Sequence, residues 1–185
     1  MNKSLEYPMP RPLGVVLALL VPLLVAGCEE GPSSQRTDLH AAGSLSFLAD
    51  ATRNGGPLLL QVSGDPYGGP PEALAVALRA LLEGALEKRP TRLTLEPGEA
   101  EDPAYRVRVT FNDGGLGAAA HCRGEGRGGG PEGRVEILAS FCHQGRVLAG
   151  VKGWVEGTEH HGDARFERLI RQVALELFVK EEKQR

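Results

Sequence analysis

Apolar side chains fall on alternate residues through most of 134–156, and then three or four residues apart from Phe166 to Phe178. That change of period, from two to about 3.6, predicts a strand hairpin followed by a helix whose apolar stripe must cover the apolar face of the hairpin. Val135, Ile137, Ala139 and Phe141 form one set on the outgoing strand, and Val147, Ala149, Val151 and Val155 form the other on the return. Phe166, Leu169, Ile170, Val173, Ala174, Leu177 and Phe178 make the helical stripe, with Asp163 available to cap its first turn. Upstream, Tyr105, Val107, Val109 and Phe111 alternate with Arg106, Arg108 and Thr110, the pattern of another half-buried strand. Only 5% of the residues are aromatic, so the core has to be built from Leu, Val and Ala.

Three further elements precede that strand. Leu58-Leu59-Leu60-Gln61-Val62 reads as a short buried strand stopped by Ser63-Gly64-Asp65-Pro66. Pro70-Pro71-Glu72 opens a helix striped by Leu74, Leu78, Leu81, Leu82 and Ala85, with Lys88 and Arg89 suited to its C-terminal dipole and Pro90 stopping it. Residues 92–96 alternate as a strand before Pro97-Gly98. The order strand-helix-strands-hairpin-helix predicts an α+β fold: a two-layer sandwich, mostly antiparallel, with its helices on one face.

The hairpin register follows from parity. Both apolar sets face one core, so the numbers of opposed residues must add to an even total. A three-residue turn, His143-Gln144-Gly145, meets that condition and gives Gly145 the left-handed position. It sets Phe141 opposite Val147, Ala139 opposite Ala149 and Ile137 opposite Val151. On the outer face it sets Glu136 beside Lys152, a cross-strand pair worth about 0.2–1 kcal/mol.

A formal net charge of −3 excludes the basic footprint of a nucleic-acid-binding protein. Gly124, Gly126 and Gly129 satisfy Gly-x-Gly-x-x-Gly literally, but Gly130-Pro131 and a strand follow where a dinucleotide site needs a helix. There is no phosphate-binding P-loop motif, no His-Glu-x-x-His and no Gly-x-Ser-x-Gly, so no cofactor is expected. The carboxylates between Glu99 and Asp102 read as a solvated loop.

The N-terminus carries Lys3 and Arg11, then an apolar run from Leu13 to Gly27. A run this short falls below the ~20 residues of a spanning helix and has the parts of a secretory signal peptide. Leu24-Val25-Ala26-Gly27-Cys28 resembles the lipobox of bacterial lipoproteins. That resemblance implies cleavage before Cys28, a diacylglycerol on its thiol and an acylated new amine, with Val25 and Pro22 as small departures. Two or more acyl chains anchor stably where one is marginal. Glu29, where Asp is the inner-membrane signal of the family, implies the outer membrane, on its periplasmic side. The expected organisation is a signal peptide over 1–27, a lipidated N-terminus and flexible tether over 28–56, and the α+β domain over 57–185. Within that tether Leu45, Phe47 and Leu48 are expected to dock back onto the domain.

With Cys28 acylated, Cys122 and Cys142 remain as an even pair in an oxidising compartment, a disulfide candidate closing a loop of roughly 20 residues. Geometry restricts it. Were 116–122 a strand meandering into 134–142, the two cysteines would lie about 26 Å apart. The bridge therefore requires 116–133 to cross as a loop or to run parallel. A metal site is the alternative: His121-Cys122 and Cys142-His143 are mirrored pairs, and His160-His161 sit in the loop before the last helix. Neighbours on a strand point apart, so four ligands converge only if both pairs lie in turns.

The order of elements behind a lipobox, with Ser63-Gly64-Asp65-Pro66 before a leucine-striped helix, is similar to small accessory envelope lipoproteins. Among these are the lipopolysaccharide-assembly lipoprotein and the penicillin-binding-protein activators. The resemblance transfers no functional residue. It implies a lipid-anchored binding or assembly-accessory protein without catalysis of its own, whose partners are the membrane and an envelope protein or glycolipid. The alternatives are a small envelope hydrolase or metal-dependent enzyme using these histidines, and a structural lipoprotein with no defined ligand.

Overall fold

A computed structural model describes residues 31–40, 43–86, 91–130 and 132–179. The N-terminal apolar run and Cys28 lie outside the described residues, as do Lys88, Arg89 and Pro90. The elements are β1 (Ser33–Leu39), α1 (Ser44–Ala51), β2 (Leu58–Ser63), α2 (Pro71–Ala85), β3 (Leu93–Thr94), β4 (Tyr105–Phe111), α3 (Ala118–Cys122), β5 (Arg134–His143), β6 (Arg146–Glu156) and α4 (Ala164–Leu177). No helix among the described residues is long and apolar enough to cross a membrane.

The strands form one six-stranded sheet in the order β1-β6-β5-β4-β2-β3. The fold is α+β as expected. The sheet is mixed, however: β1-β6, β6-β5 and β5-β4 are antiparallel, whereas β4-β2 and β2-β3 are parallel. The parallel part follows from α2, because a helix between two strands of one sheet returns the chain in the same direction.

The alternation along β4, β5 and β6 builds the core. Val107, Val109, Phe111, Ile137, Ala139, Phe141, Ala149, Val151 and Val155 are all buried on one face. The α4 stripe covers them, with Phe166, Leu169, Ile170, Ala174 and Leu177 fully enclosed. Asp163 caps that helix by accepting from the Arg165 amide at 2.8 Å. Alongside it, α2 contributes Leu74, Leu78 and Leu82 to the same layer. Gly153 sits on this face under α4, and a Cβ there would lie 2.8 Å from Leu169 Cδ1.

The folded domain begins well before residue 57. The tether expected over 28–56 is instead ordered where it is described, as β1 paired to β6 and as α1. An edge strand explains why pattern reading passes over it. Backbone hydrogen bonds to β6 hold β1 in place, and its side chains, half in water, show no apolar period. The expected docking of 45–48 is what α1 provides: Leu48 is buried, with Leu45 and Phe47 packed against the core. At its start the Ser44 hydroxyl donates to the Leu177 carbonyl at 2.6 Å and accepts from the Val179 amide at 3.0 Å.

The hairpin keeps its parity by a different route. His143 pairs directly with Arg146 across a two-residue turn, with Gln144 at φ 50° and Gly145 at φ 79°. Two positive φ values match the twist of the flanking strands better than the expected three-residue turn does. That turn alone would set an odd register. A bulge at Leu148 corrects it, since Cys142 pairs with Val147 and Phe141 with Ala149. Thereafter Ala139 faces Val151, Ile137 faces Gly153 and Val135 faces Val155. The expected Glu136–Lys152 pair is replaced: Glu136 lies opposite Trp154, Lys152 opposite Leu138, and the Glu136 carboxylate pairs with Arg134 instead.

Phe166 touches both layers, its ring 6.0 Å from that of Phe111 and 5.6 Å from that of Tyr67. Phe166→Ala is expected to cost about 3–5 kcal/mol of folding stability, read from the midpoint of urea unfolding.

Candidate functional site

The sheet face turned away from α2 and α4 carries the even-numbered residues of β5, and the five-residue helix α3 lies across part of it against β5 and β6. So short a helix does not hold itself. The Cys122–Cys142 disulfide ties it down, with Cα atoms 5.5 Å apart. The bridge is possible because 116–122 does not meander as a strand. The chain crosses this face instead, which brings Cys122 over the end of β5. Gly150 makes room for the crossing, since a Cβ there would lie 2.8 Å from the Ala118 methyl.

His121, on α3, turns its side chain onto the sheet and has no exposed surface. Its Nε2 is 2.8 Å from Thr110 Oγ1 and its Nδ1 is 2.9 Å from Ser140 Oγ, so both ring nitrogens have hydroxyl partners. A hydroxyl donates or accepts, so the neutral imidazole is satisfied in either tautomer. Burial first, and then the nearby Arg108 charge, push its pKa down to about 4. His121 is therefore a neutral structural pin at pH 7.

The other candidate ligands do not join it. His143 stacks on Tyr105, ring centroids 4.0 Å apart and planes 13° apart. His160 and His161 are exposed in the loop before α4, where His160 Nδ1 accepts from the Gly162 amide at 3.1 Å. Both sulfurs of the mirrored pairs are spent on each other. Among the described residues no three His, Cys, Asp or Glu side chains are grouped to hold a metal.

The glycine-rich stretch has a packing role. Gly128, at φ 70°, presses on the turn after β2, and a Cβ there would lie 2.6 Å from Gly64 Cα. The Gly129 amide donates to the Phe111 carbonyl at 2.9 Å, and the Gly128 amide donates to Asp113 Oδ2 at 3.2 Å. Asn112 organises this corner from a left-handed backbone position, φ 49°. Its amide nitrogen donates to the Gly130 carbonyl at 2.8 Å, and its side-chain oxygen accepts from the Glu136 amide at 2.8 Å. No periodicity singles Asn112 out. The Asn-Asp-Gly-Gly run after β4 is the one signal, and it reads only as a turn.

Beside α3 the same face opens into a groove of about 220 Å³. Trp154, Leu138 and Leu116 supply apolar surface, while Gln35, Asp113 and Lys152 line it with polar groups. Trp154, the sole tryptophan, is among the exposed large hydrophobic residues.

No family model matches the chain, and no curated protein matches it. Among solved structures it is similar to the PelC dodecamer from Paraburkholderia phytofirmans. A form carrying a leucine-to-methionine substitution is 13% identical, with a TM-score of 0.46, over 80% of this chain and 99% of that one. A second crystal form is 15% identical, with a TM-score of 0.43, over 78% and 98%.

Two measurements probe the covered face. Replacing both Cys122 and Cys142 by Ala should lower stability by about 3 kcal/mol and expose α3 amides to hydrogen exchange while β4–β6 stay protected. The second follows from His121, whose pKa is about 4 when folded and near 6.5 when unfolded, so the unfolded chain binds the extra proton. Its contribution is complete above pH 6.5 and is lost as pH falls towards 4, on the order of 3 kcal/mol in all. The ring-proton resonance of His121 should titrate near pH 4, and His121→Gln should flatten the fall in stability between pH 6.5 and 4.

Proposed function

We propose that this protein is a bacterial envelope lipoprotein, acylated at Cys28, whose α+β domain acts by binding or helping to assemble a partner and performs no catalysis itself. The observation that carries the reading is the division of its three cysteines. One ends a lipobox-like run, and the other two are bonded to each other, as suits an oxidising compartment outside the cytoplasm. The site chemistry agrees. The one buried histidine, held between Thr110 and Ser140, has no exposed surface, so a substrate has no access to it.

The groove beside α3 supports a binding role. A tryptophan and aliphatic side chains together with Gln35, Asp113 and Lys152 have the mixed apolar and polar make-up of a recognition surface. Its partner in this reading is an envelope protein segment or a glycolipid. The outer membrane, on the periplasmic side, is the proposed site of action, because Glu29 stands after the acylated residue in place of the Asp that retains lipoproteins at the inner membrane.

The early start of the domain sharpens the proposal. Cys28 precedes the first residue of β1 by five positions, a length of chain that spans at most ~18 Å. An anchor there holds the β1 edge of the sheet close to the bilayer, where a tether running from 28 to 56 would have let the domain roam.

In cells given a clickable palmitate analogue, the wild-type chain should be labelled and should fractionate with membranes. Cys28→Ser should lose both properties while retaining the Cys122–Cys142 bond. Intact-mass analysis finding residues 1–27 still attached and Cys28 unmodified would overturn the proposal.

A further inference from the structure

The face that carries α3 also presents two guanidinium groups that no carboxylate among the described residues pairs with. Arg106 and Arg108 stand two apart on β4, so they point to the same side, about 7 Å apart along the strand. Arg108 is flanked by Gln61 on β2 and Ser140 on β5, and Arg106 by Leu59 and Cys142. The Nε atoms of both are buried, and neither has a hydrogen-bond partner. The ion pairs among the described residues are Arg53–Asp50, Arg123–Glu125, Arg134–Glu136 and Arg165–Asp163, and they include neither of these arginines. The one polar contact made here is Arg108 Nη1 donating to Gln61 Oε1 at 3.0 Å.

A buried donor on a charged group without an acceptor is costly, and two like charges side by side add repulsion. Burial and the neighbouring Arg106 charge lower the pKa of Arg108, with no carboxylate opposing them. An anion bound by the two side chains would supply an acceptor and offset the repulsion. The pair carries two positive charges and several N–H donors. A phosphoryl group, with up to two negative charges and three terminal oxygens, matches that array, whereas a carboxylate brings one charge and two oxygens.

We propose that Arg106 and Arg108, with the Gln61 amide beside them, form an oxyanion site that takes a phosphoryl group, either free or on a lipid headgroup. The site is distinct from the groove at Trp154 and does not depend on acylation at Cys28.

The test uses the purified full chain in neutral detergent, observing the arginine Nε–H resonances and the melting temperature. The probes are inorganic phosphate, dihexanoyl phosphatidic acid, and acetate, each against chloride at matched ionic strength. Saturable shifts of the Arg106 and Arg108 signals are expected, with a raised melting temperature, and affinity should fall at least tenfold in Arg108→Gln and partly recover in Arg108→Lys. Response to both phosphate and phosphatidic acid supports a site that reads the phosphoryl group itself. Response to one alone assigns the source, free ion or headgroup. A response to acetate equal to that to phosphate, no response beyond chloride, or unchanged binding in folded Arg106→Gln and Arg108→Gln overturns the proposal.

Discussion

Three adjacent strands with period-two alternation turn their odd-numbered apolar residues to one side, and α4 lies across that side. The rest of the molecule is arranged around this contact. α2 occupies the space α4 leaves over β2, and α1 closes the end of α4 through the Ser44 hydroxyl. Gly153 lets the helix seat low on β6. Because successive residues on a strand point to opposite faces, a one-residue slip in the hairpin would turn every one of these side chains outward. The bulge at Leu148 therefore does more than accommodate the turn. It reconciles a tight two-residue reversal with the parity that the core demands.

The opposite face is built on different terms. Its central residues, Thr110, Ser140 and His121, are polar and buried. They are held by mutual hydrogen bonds and by a disulfide, where the first face relies on apolar area. A neutral imidazole between two hydroxyls is a compact way to fill such a space, and protonation at low pH is the condition under which it stops fitting. Arg108, one of the causes of the low His121 pKa, also belongs to the arginine pair with unpartnered Nε groups. The polar pin and the cationic pair are thus electrostatic neighbours: an anion bound at the arginines would relax the pressure on His121.

What could be read in advance followed the strength of the periodic signal. The alternation at 105–111, the stripe at 166–178 and the Asp163 cap all reappear as β4, α4 and its N-terminus, since burial on one face imposes the pattern directly. β1 was invisible because an edge strand is held by its backbone and imposes no side-chain pattern. α3 was invisible because its five residues are too few for a helical period, and what fixes it is a covalent bond far along the chain. The geometric conflict over Cys122 and Cys142 left either a loop or a parallel strand for 116–133, and the chain instead brings Cys122 over β5 on the short helix α3. The mirrored His-Cys pairs suggested convergence that local direction defeats: His121 points from α3 onto one face of the sheet, while His143 stacks on Tyr105 on the other. In the glycine-rich stretch, a motif defined by spacing alone did not distinguish a phosphate cradle from two backbones in contact.

The first strand of the sheet lies beside the last one made. β1 pairs with β6, and Ser44 reaches the Leu177 carbonyl across a separation of 133 residues. Contacts of such long range close late, after the loop between them has been ordered. As the chain emerges from N- to C-terminus, β1 has no neighbour to join until the hairpin is complete, and the outer edge of β6 stays uncovered until β1 arrives. The fold is consequently sealed at its beginning by its end, so a nascent chain stalled before residue 146 would carry its opening strand with nothing to pair against.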